Sequence, residues 1–195
     1  MRKAEDFLIS FETSEYAEKD SKKSWRFVYD WLDSLIYAII LILIIFAFFF
    51  RVVGVNGDSM NPTLESGDWL TVSAITNEVK TGDIVVITQP NSLNEPLIKR
   101  VIAKGGDTIN IDFIEGVVTV NGITLYEPYI AEATEVMGDF VYPLEIPEGY
   151  IFVMGDNRGN SKDSREIGLV RYDDLAGIVK YRIEKGGHIE IKSVS

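Results

Sequence analysis

An all-β domain standing behind a single apolar segment is the fold this sequence predicts, and three observations predict it. Residues 34–50 form 17 positions without a charge, dominated by Ile, Leu and Phe. Beyond them helical periodicity disappears, and short β-branched runs recur between Gly, Asn, Asp and Pro punctuation. Within those runs Asn121-Gly122, between VVTV and ITLY, is a two-residue hairpin signal.

The elements follow in chain order. Residues 1–30 mix both signs of charge with scattered aromatics (Phe7, Phe11, Tyr16, Phe27) and read as a cytoplasmic tail or a short amphipathic helix along the inner leaflet. Residues 31–53 read as a transmembrane helix, because the uncharged core with its flanks is apolar on every face and can cross about 30 Å of hydrocarbon. A cleavable leader fits poorly: some thirty residues precede the segment, and its exit, AFFFRVV, lacks the small-x-small pattern. Lys19, Lys22, Lys23 and Arg26 precede the segment, whereas Arg51 stands almost alone beyond it until Lys80. The positive-inside rule therefore places the N-terminus in the cytoplasm and everything after Arg51 outside. Trp25 and Trp31 suit the interface belt.

The outer part reads as strands in WLTVSAI, GDIVVITQ, PLIKRVIA, DTINID, GVVTVNG, YIFVMG, LAGIVKYRI and HIEIKSV. Residues 54–104 and 150–195 form the main β domain. Residues 105–149, more polar and carrying Pro128, Pro143 and Pro147, read as a small inserted β subdomain.

Composition excludes several function classes. A hydrophobic content of 46% with 25% charged residues belongs to a folded chain. The net charge of −11 argues against nucleic acid, and from Val52 to Ser195 there are 12 Lys+Arg against 22 Asp+Glu. With no cysteine and one histidine, thiolate chemistry is absent, and a Ser-His-Asp triad would have to use His188, which has no serine motif beside it. A serine activated by a lysine can still be built.

Three stretches carry the residues for it. In GDSMNPTL, Ser59 lies on a Gly-bearing turn, where the residue before Pro62 is biased away from helix. Such a serine is exposed and its own N–H can face an oxyanion, although by itself it is also an ordinary turn serine. In LIKRVIAKGGD, strand alternation puts Leu97, Lys99 and Val101 on one face and leaves Arg100 for a rim. A lysine on an apolar face loses solvation, its pKa falls, and the neutral amine becomes a usable base. From the strand alone, the catalytic and the structural readings of Lys99 both stand. In GDNRGNSKDSREIG (residues 155–168) a calcium loop fails, because Arg158 occupies a position that needs an oxygen ligand. What remains is a loop of hydroxyls, amides and an Asp163–Arg165 pair that can hold other polar groups in place. No metal and no cofactor is called for.

These stretches, in this order behind one apolar segment, resemble the bacterial type I signal peptidases, membrane-bound serine–lysine proteases. GDSMNPTL is similar to the family's serine box, GDIVVI to its next strand, LIKRVIAKGGD to its lysine box and GDNRGNSKDSREIG to its terminal signature. The resemblance implies a catalytic all-β domain with a long coiled, mainly antiparallel sheet, a smaller domain inserted between lysine box and terminal signature, and one membrane span. It implies that Ser59 is the nucleophile and Lys99 the general base, with Ser161 orienting the amine and Asp163 and Arg165 as the supporting pair. The oxyanion hole would combine the Ser59 N–H with position 57, here Gly57, which brings no side-chain donor. Shallow pockets would be lined by Val55, Met60, Leu64, Val86 and Ile98. The implied substrates are exported precursor proteins with small residues before the cut, processed at the outer face of a bacterial cell membrane, with lipid in contact. Two other readings belong beside it. A membrane-anchored pilus-assembly factor of the same fold would have a damaged Ser–Lys pair, and both residues are present. A self-cleaving Ser–Lys repressor would need a DNA-binding module and a cytoplasmic location, which charge and span oppose.

Overall fold

The β-branched runs become strands, and their register comes from which side chains can be buried. The protein is described by a computed structural model over residues 29–45, 50–74, 76, 79–88, 95–184 and 192–193. It divides into two units, Met1–Ala47 and Phe48–Ser195.

In the first unit, helix α1 covers residues 29–45. Among the described residues no helix is long and apolar enough to cross a membrane. The apolar run continues in sequence through residues 46–49, which lie outside the described residues, as do residues 1–28 of the tail. The expected span of 31–53 is corrected at its end: Phe50–Gly54 is strand β1, not helix. Its β-branched Val52 and Val53 pair with Thr71 and Leu70 of β2 (Trp69–Ser73), so the sheet claims them.

The second unit continues with β3 (Ile84–Ile87), β4 (Leu97–Lys104), β5 (Thr108–Asp112), β6 (Val117–Val120), β7 (Ile123–Thr124), β8 (Leu144–Glu145) and β9 (Tyr150–Met154). There follow a one-turn helix α2 (Ser164–Ile167), β10 (Val170–Arg171), β11 (Leu175–Ile183) and β12 (Lys192–Ser193). The main sheet has the order β1-β2-β11-β3-β4-β9-β10, with β12 beside β11. Its pairings are antiparallel throughout. His188 and most of the last predicted strand lie outside the described residues.

Residues 105–149 build a second antiparallel sheet, β7-β6-β5-β8. Its hairpin turns at Asn121 (φ 52°) and Gly122 (φ 76°), the paired left-handed positions that a two-residue primed turn demands. The sheet does not pack separately. Ile109, Ile111 and Val118 share one apolar cluster with Ile102, Phe152 and Met154 of the main sheet.

Strand β4 keeps the expected alternation as far as Val101, and a register shift follows between Val101 and Ala103. Ile98 packs with one cluster, Leu97 and Val101 with a second, and Ile102 and Ala103 with a third. A strand covered on both faces has no rim, so Arg100 (4% exposed) is buried along with Lys99 (2% exposed). The placement of Arg100 at a rim is thereby corrected.

Candidate active site

Ser59 is presented by a loop whose ends are tied and whose middle is anchored. Val55 N–H donates to Asp68 O and Gly67 N–H to Val55 O, closing residues 55–68 on themselves. Within the loop Met60 and Leu64, one turn apart, are both buried in the core beside Val55 and Leu70. Burying those two side chains on one flank leaves Ser59 half-exposed on the other. Gly57 sits at φ +100°, a conformation that only glycine adopts without strain, and its N–H faces Ser66 Oγ at 3.4 Å.

The serine and the lysine meet. Lys99 Nζ donates to Ser59 Oγ at 2.7 Å, across forty residues of sequence. At that separation a neutral amine can take the hydroxyl proton instead. The amine is held down from its ordinary 10.5 to about 8, chiefly by burial. Asp163 and then Asp156 pull the other way by favouring the ammonium, and Arg165 adds to the lowering.

The loop 155–165 closes the back of the site. Asn157 N–H donates to Ser59 O at 3.1 Å, and Gly155 N–H donates to Asp163 Oδ2 at 2.9 Å. Gly155 is a glycine of necessity, since a Cβ there would collide with the Ser161 hydroxyl and the Ser59 carbonyl. Asp163 and Arg165 form a buried pair: Arg165 Nε donates to Asp163 Oδ1 and Nη2 to Oδ2, each at 2.8 Å. The expected bond from Ser161 to the lysine amine is not made. Ser161 Oγ is buried against Gly155 and has no hydrogen-bond partner among the described residues.

Two further buried pairs escaped the sequence reading. Arg100 donates through Nε and Nη2 to both oxygens of Asp156, at 2.8 and 2.7 Å, and its guanidinium lies 4.0 Å from the Tyr129 ring centre. Arg158, fully buried, donates to Glu127 and Thr134 of the inserted segment. The density of charges in residues 155–165 was the available signal, but their partners lie far away in sequence.

Beside Ser59 and Lys99 a cleft of about 350 Å³ is lined by Val53, Val55, Met60, Val86 and Ile98, among others. Four of the five expected pocket residues lie on it. Leu64 is corrected: it is fully buried in the core and does not line the cleft. Among the described residues no cluster of metal-ligating side chains occurs.

A family model described as signal peptidase, peptidase S26, matches residues 28–183. The chain belongs to that signal peptidase family. Similar relatives include signal peptidase I T of Bacillus subtilis (strain 168), 36% identical over 176 residues, covering 84% of this chain and 89% of that protein. Signal peptidase I of Bacillus licheniformis is 36% identical, covering 84% and 92%. Probable signal peptidase I-1 of Synechocystis sp. (strain ATCC 27184 / PCC 6803 / Kazusa) is 34% identical, covering 81% and 83%. A crystal structure of a signal peptidase I from Enterococcus faecalis V583 is 29% identical, with a TM-score of 0.44, covering 52% of this chain and 97% of that one. The signal peptidase match thus takes in the Ser59 turn, β4 and the 155–165 loop together.

Proposed function

We propose that this protein is a membrane-anchored serine endopeptidase that removes signal peptides from exported precursors, with Ser59 as nucleophile and Lys99 as general base. The observation that carries the reading is the 2.7 Å contact of Ser59 Oγ with a buried lysine amine whose pKa is lowered to about 8. Lys99 takes the Ser59 proton as the hydroxyl attacks the carbonyl before the scissile bond. The proton passes to the departing amine, and water then resolves the acyl-enzyme. Asp163 and Arg165 hold the loop behind the amine, and Ser161 orients it during turnover. The pockets, lined by Val55, Met60, Val86 and Ile98, take the small residues before the cut. An intact Ser59–Lys99 contact supports an enzyme over a proteolytically inert assembly factor.

The anchor is the apolar segment before β1, with the N-terminus inside and the β domain outside. Lipid contact and the bacterial cell membrane belong to this reading, which rests on the apolar run and on the basic residues ahead of it. The test uses the full chain in right-side-out vesicles. A synthetic precursor with small residues before its cut should be cleaved once, and an external protease should reach the part after Arg51 but not the first thirty residues. No cleavage, or an accessible N-terminal tail, would overturn the proposal.

A further inference from the structure

Asn157 touches the serine turn twice. Besides the bond from its backbone N–H to Ser59 O, its side-chain Nδ2 donates to Asp58 O at 3.1 Å. The Asp58–Ser59 peptide is trans, and in a trans peptide the C=O and N–H lie on opposite edges of one rigid plane. Holding the Asp58 carbonyl toward Asn157 therefore points the Ser59 N–H the opposite way. Gly57 and Ser59 line the cleft, whereas Asp58 and Asn157 do not, which puts the cleft beside the N–H edge of this turn rather than beside Asn157 in the proposal that follows. Among the described residues the Ser59 N–H has no acceptor of its own.

That peptide has one hold within its own turn, the Asn61 N–H that donates to Asp58 O at 3.1 Å, and Asn157 adds a second from outside the loop. The peptide follows Gly57, which carries no Cβ and whose backbone is correspondingly free to turn. Nor does position 57 offer a side-chain donor to share the charge of an oxyanion. The aim of a single N–H then decides how well the tetrahedral intermediate is stabilised.

We infer that Asn157 is a positioning residue for the oxyanion hole: its side-chain amide pins the Asp58–Ser59 peptide plane so that the Ser59 N–H faces the reacting carbonyl. The inference rests on Ser59 being the nucleophile. Asn157 touches neither substrate nor the transferred proton, and its effect reaches the reaction only through the peptide it holds. The backbone bond to Ser59 O does not depend on the side chain at 157 unless that residue is proline, so the loop stays docked when the side-chain amide is removed.

The experiment compares wild type, Asn157→Ala and Asn157→Asp on a synthetic precursor peptide, each at the plateau of its pH profile. Asn157→Ala should lower kcat about tenfold, less than the roughly 10²–10³ lost when an oxyanion donor is removed outright, with KM within about twofold. Asn157→Asp, which keeps the shape but cannot donate, should fall at least as far. A peptide aldehyde supplies the readout that a structural role would not move. Ser59 Oγ adds to its carbonyl carbon, and the hydroxyl proton ends on the new hemiacetal oxygen. The affinity of the aldehyde should fall in step with kcat, while the matching peptide alcohol, which cannot add, binds all three proteins alike. A wild-type kcat in both variants, a loss confined to KM, or equal losses for aldehyde and alcohol would overturn the inference. A wild-type protein that neither cleaves the peptide nor prefers the aldehyde would instead sink the assignment of Ser59.

Discussion

Lys99 and Arg100 occupy successive positions of β4 and are buried to nearly the same extent, yet only the arginine has a carboxylate within ion-pairing distance among the described residues. Asp156 grips Arg100 through both oxygens, so the guanidinium is paired and takes no part in proton transfer. Lys99 is left with a hydroxyl as its near neighbour and with carboxylates acting only through space. One strand thus holds a charge that is satisfied beside one that is not, and the unsatisfied one can discharge itself.

Replacing Lys99 should separate activity from stability. Ser59→Ala and Lys99→Ala should each abolish cleavage with the β domain folded. Lys99→Arg should be equally dead, because an arginine stays protonated. Lys99→Met should also be inactive but more stable at pH 7, by about 1–3 kcal/mol, since it removes a buried amine that is mostly charged there. The sign follows from linkage. The amine binds its proton less tightly when folded (about 8) than when unfolded (10.5), so wild-type stability rises as pH climbs between those values. The Met variant should lack that rise in urea unfolding, and an identical rise in both proteins would contradict the burial of the amine.

Asp163 should matter twice. Its pair with Arg165 is buried, so Asp163→Ala strands a guanidinium and should cost about 3–5 kcal/mol in urea unfolding. Asp163→Asn keeps the shape, and it removes the first of the charges that raise the lysine pKa. The rising limb of its pH–rate profile should therefore move to lower pH, and a limb that moves to higher pH would contradict the electrostatics.

Much of this arrangement was legible in the residues themselves. The β-branched runs became β2, β3, β4, β5, β6, β9 and β11 because each could be buried where it stands, and Asn121-Gly122 turned as its φ freedom requires. What escaped depends on partners that local patterns do not contain. Arg100 reads as a rim residue until Asp156, 56 positions away, is folded against it. Leu64 looks like a pocket residue by its place in the serine motif, but its spacing from Met60 makes it an anchor of that loop. The strand β1 was absorbed into the apolar run before it, because Val52 and Val53 suit a helix in lipid as well as a sheet edge. Pairs of residues such as β8 and β10 are too short to show any period.

Ser161 offers a sharper contrast between stability and activity. Its hydroxyl makes no hydrogen bond among the described residues, so Ser161→Ala should unfold within about 0.5 kcal/mol of wild type, or later. If the hydroxyl orients the amine during turnover, the same variant should lose rate on the order of 10²-fold. Initial rate on one precursor peptide and urea unfolding, measured on the same preparation, check both halves. A wild-type rate would remove Ser161 from the site.

The inserted segment should be needed for the fold of the catalytic loop. Glu127 neutralises Arg158, Arg165 Nη1 donates to Val136 O, and Asp139 N–H donates to Arg165 O. Glu127→Ala leaves the fully buried Arg158 short of its counter-charge and should cost about 3–5 kcal/mol in urea unfolding. A loss below about 1 kcal/mol would mean that the pair is as weak as a surface one.

The most direct test of the account is the pH dependence of kcat/KM on a precursor peptide, followed together with a probe of folding. A buried lysine base with a pKa lowered to about 8 must be neutral to act, so the rate should climb through that value and hold a plateau above it. A rate that is flat or falls from about pH 6 to about pH 9, in a protein that stays folded, would contradict Lys99 as the base.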